Sequence, residues 1–229
     1  MKTIFSRYYI LVSLILCQVV CQAQQETPAV GFLRIINGIS HGDGNAKFIV
    51  DHEDIYPAGY RLSQDSGAIS LNQGSHSITV SKNGVTKGTT KIDVVTGETM
   101  SVIAFAELIP PVNKDDTPRW TIKLLRIKQK SIDAGYGLTL ISVADAPETQ
   151  ISLTIGNKGT TESHALTRLK LTDVNLGTSR GEVFVKMNGK PLTTVSPDTP
   201  GNYIVVIYDG ENGENAAIYL FDSKFTVAG

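Results

Sequence analysis

Cysteine is almost missing from this 229-residue sequence. The two cysteines are Cys17 and Cys21, so no disulfide can form within the rest of the chain. Exported domains often depend on disulfides, and one without them must be stabilised by its hydrophobic core. About 200 residues can bury enough apolar surface for that purpose. An exported chain without disulfides is more typical of a bacterial envelope than of animal secretion.

Helical periodicity and basic clusters are missing as well. No stretch of about 11 or more residues spaces its apolar side chains three and four positions apart, as an amphipathic helix requires. The 21 basic residues nearly balance the 22 acidic ones, and they form neither a basic run nor a basic strand with interleaved aromatic side chains. These absences argue against a helical fold and against a nucleic-acid partner.

The N-terminus has the pattern of a cleavable secretory signal peptide. Lys2 and Arg7 begin it, the apolar run Tyr8–Val20 continues it, and small residues suited to signal peptidase follow. The run of about 13 residues is too short to cross a hydrocarbon core of about 30 Å. We therefore expect a signal peptide over residues 1–23 and a spacer over 24–30, with no transmembrane span afterwards. Export would be to the periplasm or the cell surface of a bacterium.

Short runs rich in Val, Ile, Thr and Tyr make up most of the remaining chain, separated by Gly, Asn, Asp and Pro. Such runs predict the strands of a sandwich or barrel. The strands expected in the first half are Phe32–Asn37, Ala46–Asp51, Gly67–Leu71, Ser75–Lys82, Thr89–Val95, Thr99–Leu108 and Arg119–Lys128. Those expected in the second half are Leu138–Val143, Gln150–Ile155, Leu166–Leu171, Glu182–Met187, Pro191–Val195, Gly201–Tyr208 and Ala216–Asp222.

The same strand pattern occurs twice. Three pairs of matching apolar residues are each 105 residues apart: Ile36 and Ile141, Val50 and Ile155, Val80 and Val185. This spacing is the size of a domain and exceeds a solenoid unit of about 20–50 residues. We therefore predict two tandem immunoglobulin-like antiparallel β-sandwiches, domain 1 over 31–128 and domain 2 over 138–229. The linker over 129–137 is short, which favours domains arranged end to end with limited bending.

Turn and core residues can also be predicted in both halves. Asn83-Gly84 and Asn188-Gly189 each supply the residues of a tight two-residue hairpin. In Ser75–Lys82, Ile78 and Val80 alternate with Thr79 and Ser81, which predicts one buried face. The apolar residues expected to fill the core of the first half are Val94, Val95, Val102, Ile103 and Phe105.

These repeated segments resemble a family of secreted bacterial domains known as domain of unknown function 4397. Its opening, middle and closing strands are similar to Leu33–Asp51, Ser70–Val80 and Gly97–Leu108 in the first copy, and its opening and closing strands to Leu140–Ile155 and Gly201–Gly210 in the second. The second copy keeps the family's Ala-Asp-Ala-Pro turn at Ala144–Pro147, whereas the first copy has SHGDGN there. The resemblance covers most of Gly31–Asp222. It implies an immunoglobulin-like, envelope-associated domain, often in tandem, and it implies no catalytic residues.

The motif Gly38-Ile39-Ser40-His41-Gly42 has the G-x-S-x-G form of a hydrolase nucleophile elbow. That chemistry needs the serine on a turn between a strand and a helix, but the following AKFIVD predicts a strand. The matching position in the second half is Asp145. We therefore interpret the motif as a glycine-rich loop and keep a serine hydrolase as a remote alternative.

Two sets of polar loop residues have the chemistry of metal ligands. His41, Asp43, His52 and Asp54 could hold zinc if their loops meet. The segment Asp209–Asn215 is acidic and rich in oxygen, as calcium prefers, although it lacks the EF-hand pattern. Because polar loops explain both sets equally well, we predict no metal, no cofactor and no catalytic residues.

The sequence favours a non-enzymatic exported protein that acts as a binding, adhesion or structural module of the envelope. Its partner would be an unknown envelope protein or a glycan, met by loops at one end of a sandwich or by a sheet edge. The alternative is a carbohydrate-binding module. Its speculative ligand contacts are Trp120, Tyr56 and Tyr60, because aromatic rings stack on sugars.

Overall fold

The computed structural model describes residues 29–222, apart from 112, 114, 115, 133, 157, 158 and 179. The predicted signal peptide, most of the spacer, Asp115 and the last seven residues of predicted domain 2 lie outside the described residues. Within them the chain forms strands and turns without a helix, which confirms the all-β prediction. It follows that no described helix is long and apolar enough to cross a membrane.

Sixteen strands follow one another along the described chain. The first eight are β1 (Val30–Gly38), β2 (Asp43–Val50), β3 (Glu53–Asp54), β4 (Ile69–Asn72), β5 (Gly74–Asn83), β6 (Val85–Val94), β7 (Thr99–Ile109) and β8 (Arg119–Lys128). The next eight are β9 (Tyr136–Ser142), β10 (Glu148–Ile155), β11 (Thr160–Thr167), β12 (Thr172–Gly177), β13 (Val183–Met187), β14 (Lys190–Val195), β15 (Gly201–Asp209) and β16 (Asn215–Asp222).

The strand order is the same in both halves of the chain. In the second half, one sheet has the order β11-β10-β13-β14 and another the order β12-β9-β15-β16. In the first half, β3-β2-β5-β6 and β8-β7-β1-β4 follow the same two orders, joined into one eight-stranded sheet where Thr86 of β6 pairs with Thr121 of β8. In both halves the first strand lies parallel to the seventh, β1 against β7 and β9 against β15.

The register of the strand pairs recurs as well. Val50 pairs with Ile78, and 105 residues later Ile155 pairs with Val183. The pairs Phe48 with Val80 and Leu153 with Val185 keep the same spacing, as do Leu33 with Ile69 and Leu138 with Val174. Since a slip of one residue would turn each strand over, the same side chains face the core in both halves.

Each half has its own hydrophobic core between two layers of strands. The first core contains buried residues such as Leu33, Phe48 and Val80. The second contains Leu138 and Leu153 at the matching positions. Each cluster draws on strands of both layers, which is the packing of a β-sandwich.

A third apolar cluster joins the halves. In β7, Val102 and Ala104 face the first core, whereas Ile103 and Phe105 face this third cluster, because successive residues of a strand point to opposite sides. The strand β15 behaves in the same way. The buried members of the cluster are Ile36, Ile103, Phe105 and Ile127 from the first half, and Ile141, Val143, Ile204, Val206, Tyr208 and Leu220 from the second. The prediction that the halves are arranged end to end is therefore wrong, since they pack through sheet faces.

The structure corrects the predicted strand Leu166–Leu171. The strand β11 has already ended at Thr167, and Leu169 has the left-handed φ of 62°, which no strand interior adopts. The backbone N–H of Leu169 donates to the carbonyl of Ser142 at 2.9 Å. This segment is a turn, and two polar strands beside it, β11 and β12, escaped prediction because their apolar alternation is weak.

Two smaller predictions of the first half are also corrected. Val95 was expected in the core but is 47% exposed, because β6 ends at Val94 and the chain turns there. The two-residue strand β3 was not predicted. By contrast, Val94, Val102, Ile103 and Phe105 are buried as expected, with the last two at the contact between the halves.

The two predicted hairpins are confirmed. Asn188 and Gly189 both have positive φ, of 50° and 78°, and connect Met187 to its partner Lys190. In the first half Gly84 has a φ of 76°, and Lys82 pairs with Val85.

Candidate functional site

The loop between β1 and β2 carries the GISHG motif and lies against the first hairpin. Gly42 has a φ of 82°, and a Cβ at this position would collide with the carbonyl oxygen of Asn83 and with Val85. Position 42 therefore requires glycine, both because of its positive φ and because the loop lies so close to the hairpin. The loop is held on the turn between β5 and β6, and Lys82 reinforces it by donating from Nζ to the carbonyl of Ile39 at 2.8 Å.

Ser40 and His41 do not have the environment of a nucleophile elbow. The Ser40 hydroxyl lies 3.1 Å from Nδ1 of its neighbour His41, and the His41 ring stacks on Trp120 with centroids 3.3 Å apart. The chain then enters β2, a strand, where an elbow needs a helix. The motif is a glycine-rich loop, as the sequence indicated.

A cavity of about 540 Å³ opens where this loop meets the second half. We call it the junction cavity; its lining residues are Ser40, Gly42, Gly44, Asn45, Arg61, Leu62, Lys82 and Glu211. Glu211 comes from the β15–β16 loop, and the other residues come from three segments of the first half. Residues of the segments SHGDGN and DGENGEN therefore line one cavity.

The junction cavity contains two cations and one carboxylate. The Arg61 side chain is exposed, and it forms no ion pair or hydrogen bond with the described residues. Burial lowers the pKa of the Lys82 ammonium, and this effect is opposed by the negative charges of Glu211 and Asp43. Lys82 nevertheless forms no ion pair with a carboxylate of the described chain. Within the described residues neither cation of the cavity therefore has a close ion-pair partner, although Glu211 and Asp43 both act on Lys82.

Arg168 clamps the halves together next to this region. Its Nη1 donates to Glu107 of β7 at 3.0 Å, and its Nε donates to the carbonyl of Ala144 at 2.8 Å. The guanidinium also lies over the Phe105 ring, 5.4 Å from its centroid. Glu107 and Phe105 belong to the first half and Ala144 to the second. The Arg168 side chain therefore contacts both halves. It comes from the turn that sequence reasoning read as a strand.

Asp145 lies beside this clamp, in the turn Ala144–Pro147. Its carboxylate is 4.0 Å from Arg168, and its backbone N–H donates to Asp209 at 2.8 Å. Partial burial and the charge of Asp209 raise the pKa of Asp145, against the opposing effects of Arg168 and His41. Asp145, which occupies the position of Ser40 in the second copy, thus connects its own turn to the end of β15.

The opposite side of the junction holds a buried polar group. Asp222 is 5% exposed and accepts hydrogen bonds from the backbone N–H of Lys130 at 3.0 Å and from Asn202 at 3.4 Å. Burial raises the pKa of the Asp222 carboxyl, and the hydrogen bonds and Arg34 oppose that rise. Arg34 itself donates to the carbonyl of Phe221 at 2.8 Å. The predicted linker is therefore fixed to the last described strand.

The three speculative aromatic contacts have different surroundings. Trp120 is half-buried against the first core and covered on one face by His41. Tyr60 is buried and stacks on Phe48 with centroids 4.3 Å apart. Tyr56 is 50% exposed and meets Tyr60 edge-on. Of the three, Tyr56 alone presents a mostly exposed ring.

Tyr56 and Tyr60 border a second, open cavity of about 340 Å³, which we call the tyrosine cavity. Its other lining residues are Ser63, Gln64 and Asp65. Trp120 does not line it. Arg61 and Leu62 of the same segment line the junction cavity instead, so residues 56–65 separate the two cavities.

The candidate metal ligands are not gathered into a site in the described part of the chain, where no group of three or more His, Asp or Glu side chains is placed to hold an ion. Asp54 is 3.6 Å from Lys47. The two carboxylate oxygens of Asp209 accept from Asp145 and Asn215, so this loop uses them to fix its own shape.

Sequence reasoning did not identify the junction cavity, although it singled out Ser40 and the segment Asp209–Asn215 for other reasons. Arg61 and Lys82 are isolated charges far apart in the chain, and no local motif marks them, whereas Glu211 lies within the acidic segment Asp209–Asn215. The one available signal was indirect: at the loop that contains Ser40 the copies differ in sequence, SHGDGN in the first and Ala144–Pro147 in the second.

Comparisons with known proteins give little on identity. No family model matches the chain, and no curated protein does either. One solved structure that it resembles is described as the Bacillus anthracis TIE protein, at 12% sequence identity and a TM-score of 0.25. The match spans 78% of this chain and half of that one.

Proposed function

We propose that the protein is a non-enzymatic recognition module exported to the bacterial envelope, composed of two copies of one immunoglobulin-like sandwich. The observation that carries the proposal is the junction cavity, where loops of both halves converge around two cations that form no ion pair within the described residues. Binding sites are commonly concave and lie between domains. The recurring register supports the duplication.

The loop chemistry favours binding over turnover. Ser40 and His41 are adjacent residues of a loop that leads into a strand, and the His41 ring is held against Trp120. In a nucleophile elbow the serine lies on a turn from a strand into a helix, and the backbone N–H of the next residue helps to form the oxyanion hole. A loop of this kind suits contact with a ligand.

A retention assay tests the proposal. The chain from Gln24, carrying a fluorescent label, would be applied to an array of bacterial envelope polysaccharides and envelope proteins. We expect retention that the double variant Arg61→Ala/Lys82→Met lowers. The matched control is Lys87→Ala/Lys170→Ala, which removes the same charge from exposed positions outside the cavity and should leave retention unchanged.

Two results of the assay would contradict the proposal. One is retention that is equal in both double variants. The other is chemical conversion of an array component that Ser40→Ala abolishes, which would establish a hydrolase.

The tyrosine cavity supports a second candidate, a carbohydrate-binding module. Tyr56 offers an exposed ring beside Gln64 and Asp65, which is the combination of stacking surface and hydrogen-bonding groups that sugars require. On a neutral-glycan array, Tyr56→Ala should reduce retention. Tyr219→Ala removes a ring of similar exposure on β16 and should not. Equal retention by the two variants would exclude this candidate.

A further inference from the structure

The charged side chains of the junction cavity indicate which class of ligand it binds. This inference rests on the proposed recognition function. Arg61 and Lys82 enter the cavity from different elements, the segment after Tyr60 and the end of β5. The guanidinium of Arg61 presents a planar set of donors that suits a carboxylate. One of the Lys82 donors is bound to Ile39, and the others remain for a ligand.

Glu211 argues against a simple inorganic anion. Its carboxylate lines the same cavity and would repel phosphate or sulfate. A carboxylate accepts hydrogen bonds from hydroxyl groups, and so does the Ser40 hydroxyl. The favoured ligand therefore has a negative group for Arg61 and Lys82 together with hydroxyl donors for Glu211.

The rest of the lining is polar. Leu62 is the one large apolar residue in it, so a lipid or an aromatic ligand would find little surface to bury. A cavity of about 540 Å³ has room for more than one sugar ring.

We propose that the junction cavity binds a uronic acid unit of an acidic polysaccharide. The sugar carboxylate lies between Arg61 and Lys82, and its ring hydroxyls donate to Glu211 and Ser40. Loops of both halves hold one ligand, which gives the close packing of the halves a role in binding.

Ligand-detected NMR on the chain from Gln24 tests this proposal with three probes, the trisaccharides of galacturonate, glucuronate and mannuronate. We expect at least one to bind, and Arg61→Ala to weaken that binding tenfold or more, because the charge-assisted hydrogen bonds to the sugar carboxylate are lost. Glu211→Gln keeps the size and one acceptor and should weaken binding less. Lys87→Ala/Lys170→Ala should bind as the wild type does.

Four outcomes overturn the proposal: binding of none of the three uronates, equal binding of a neutral galactose trisaccharide, tighter binding of inorganic phosphate, and tighter binding of a zwitterion such as glycine. Circular dichroism confirms that each variant is folded. The array assay separates this inference from the proposed function. If the protein retains a component without carboxylates, and retention depends on Arg61 and Lys82, the recognition function is supported and the uronate inference alone is wrong.

Discussion

At the residue scale, Arg168 connects the halves by charge, hydrogen bond and ring contact. Arg168→Ala leaves Glu107 without its closest partner and uncovers Phe105. We expect the free energy of unfolding in urea to fall by about 2 kcal/mol, because the lost bonds are charge-assisted and partly buried. The control is Lys190→Ala, whose pair with Glu214 is largely exposed and should contribute little. Equal effects of the two changes would show that Arg168 is not a clamp.

Asp222 gives a residue-scale prediction about pH. Because burial raises the pKa of its carboxyl in the folded protein, the folded state binds this proton more tightly than the unfolded state does. The charged form therefore destabilises the fold at neutral pH, and this cost disappears as pH falls through the raised pKa. Asp222→Asn removes that titration. We expect wild-type stability to rise relative to the variant between about pH 7 and pH 4. Urea midpoints of both proteins at several pH values measure it, and a constant difference would contradict it.

At the element scale, Gly88 allows β6 to approach β8. A Cβ at this position would lie 2.5 Å from the carbonyl oxygen of Ile122, a backbone atom that cannot move aside easily. We expect Gly88→Ala to cost about 1–3 kcal/mol through overpacking where the two layers of the first half join. Thr89→Ala, at an exposed neighbour on β6, should change little. If the Gly88→Ala and Thr89→Ala proteins are equally stable, β6 and β8 can move apart without lowering the free energy of unfolding, and the prediction is wrong.

Sequence patterns predicted the strands and turns that depend on neighbouring residues alone. Arg119–Lys128 was predicted with the observed bounds, and the Asn-Gly hairpins follow from turn chemistry alone. Leu166–Leu171 was mistaken for a strand because it contains three leucines, although Leu169 turns the chain. The apolar run around Ile103 contained a signal of two-sided burial, but Ile103 and Phe105 were expected in the core of the first half alone. The junction cavity needs four distant segments to meet, and a single sequence does not reveal such a meeting.

At the scale of the whole molecule, the apolar cluster between the halves should make them unfold together. Ile141 belongs to the second half and is completely buried in that cluster, whereas Trp120, the one tryptophan of the chain, reports on the first half. We expect Ile141→Ala to cost about 2–4 kcal/mol and to shift the urea transition seen by tryptophan fluorescence as far as the one seen by circular dichroism.

The same experiment can contradict coupling. If Ile141→Ala moves the circular dichroism transition of the second half but leaves the tryptophan transition in place, the halves are independent domains. In that case the contact between their sheets does not stabilise either one.

The most direct test of recognition at the junction cavity is an amide chemical-shift map of the chain from Gln24, titrated in turn with the trisaccharides of galacturonate, glucuronate and mannuronate. The account predicts shifts concentrated in residues 40–45, at Arg61 and Leu62, at Lys82 and at Glu211, with both halves responding at one ligand concentration. Shifts confined to Tyr56, Gln64 and Asp65, or to one half of the chain, would contradict it.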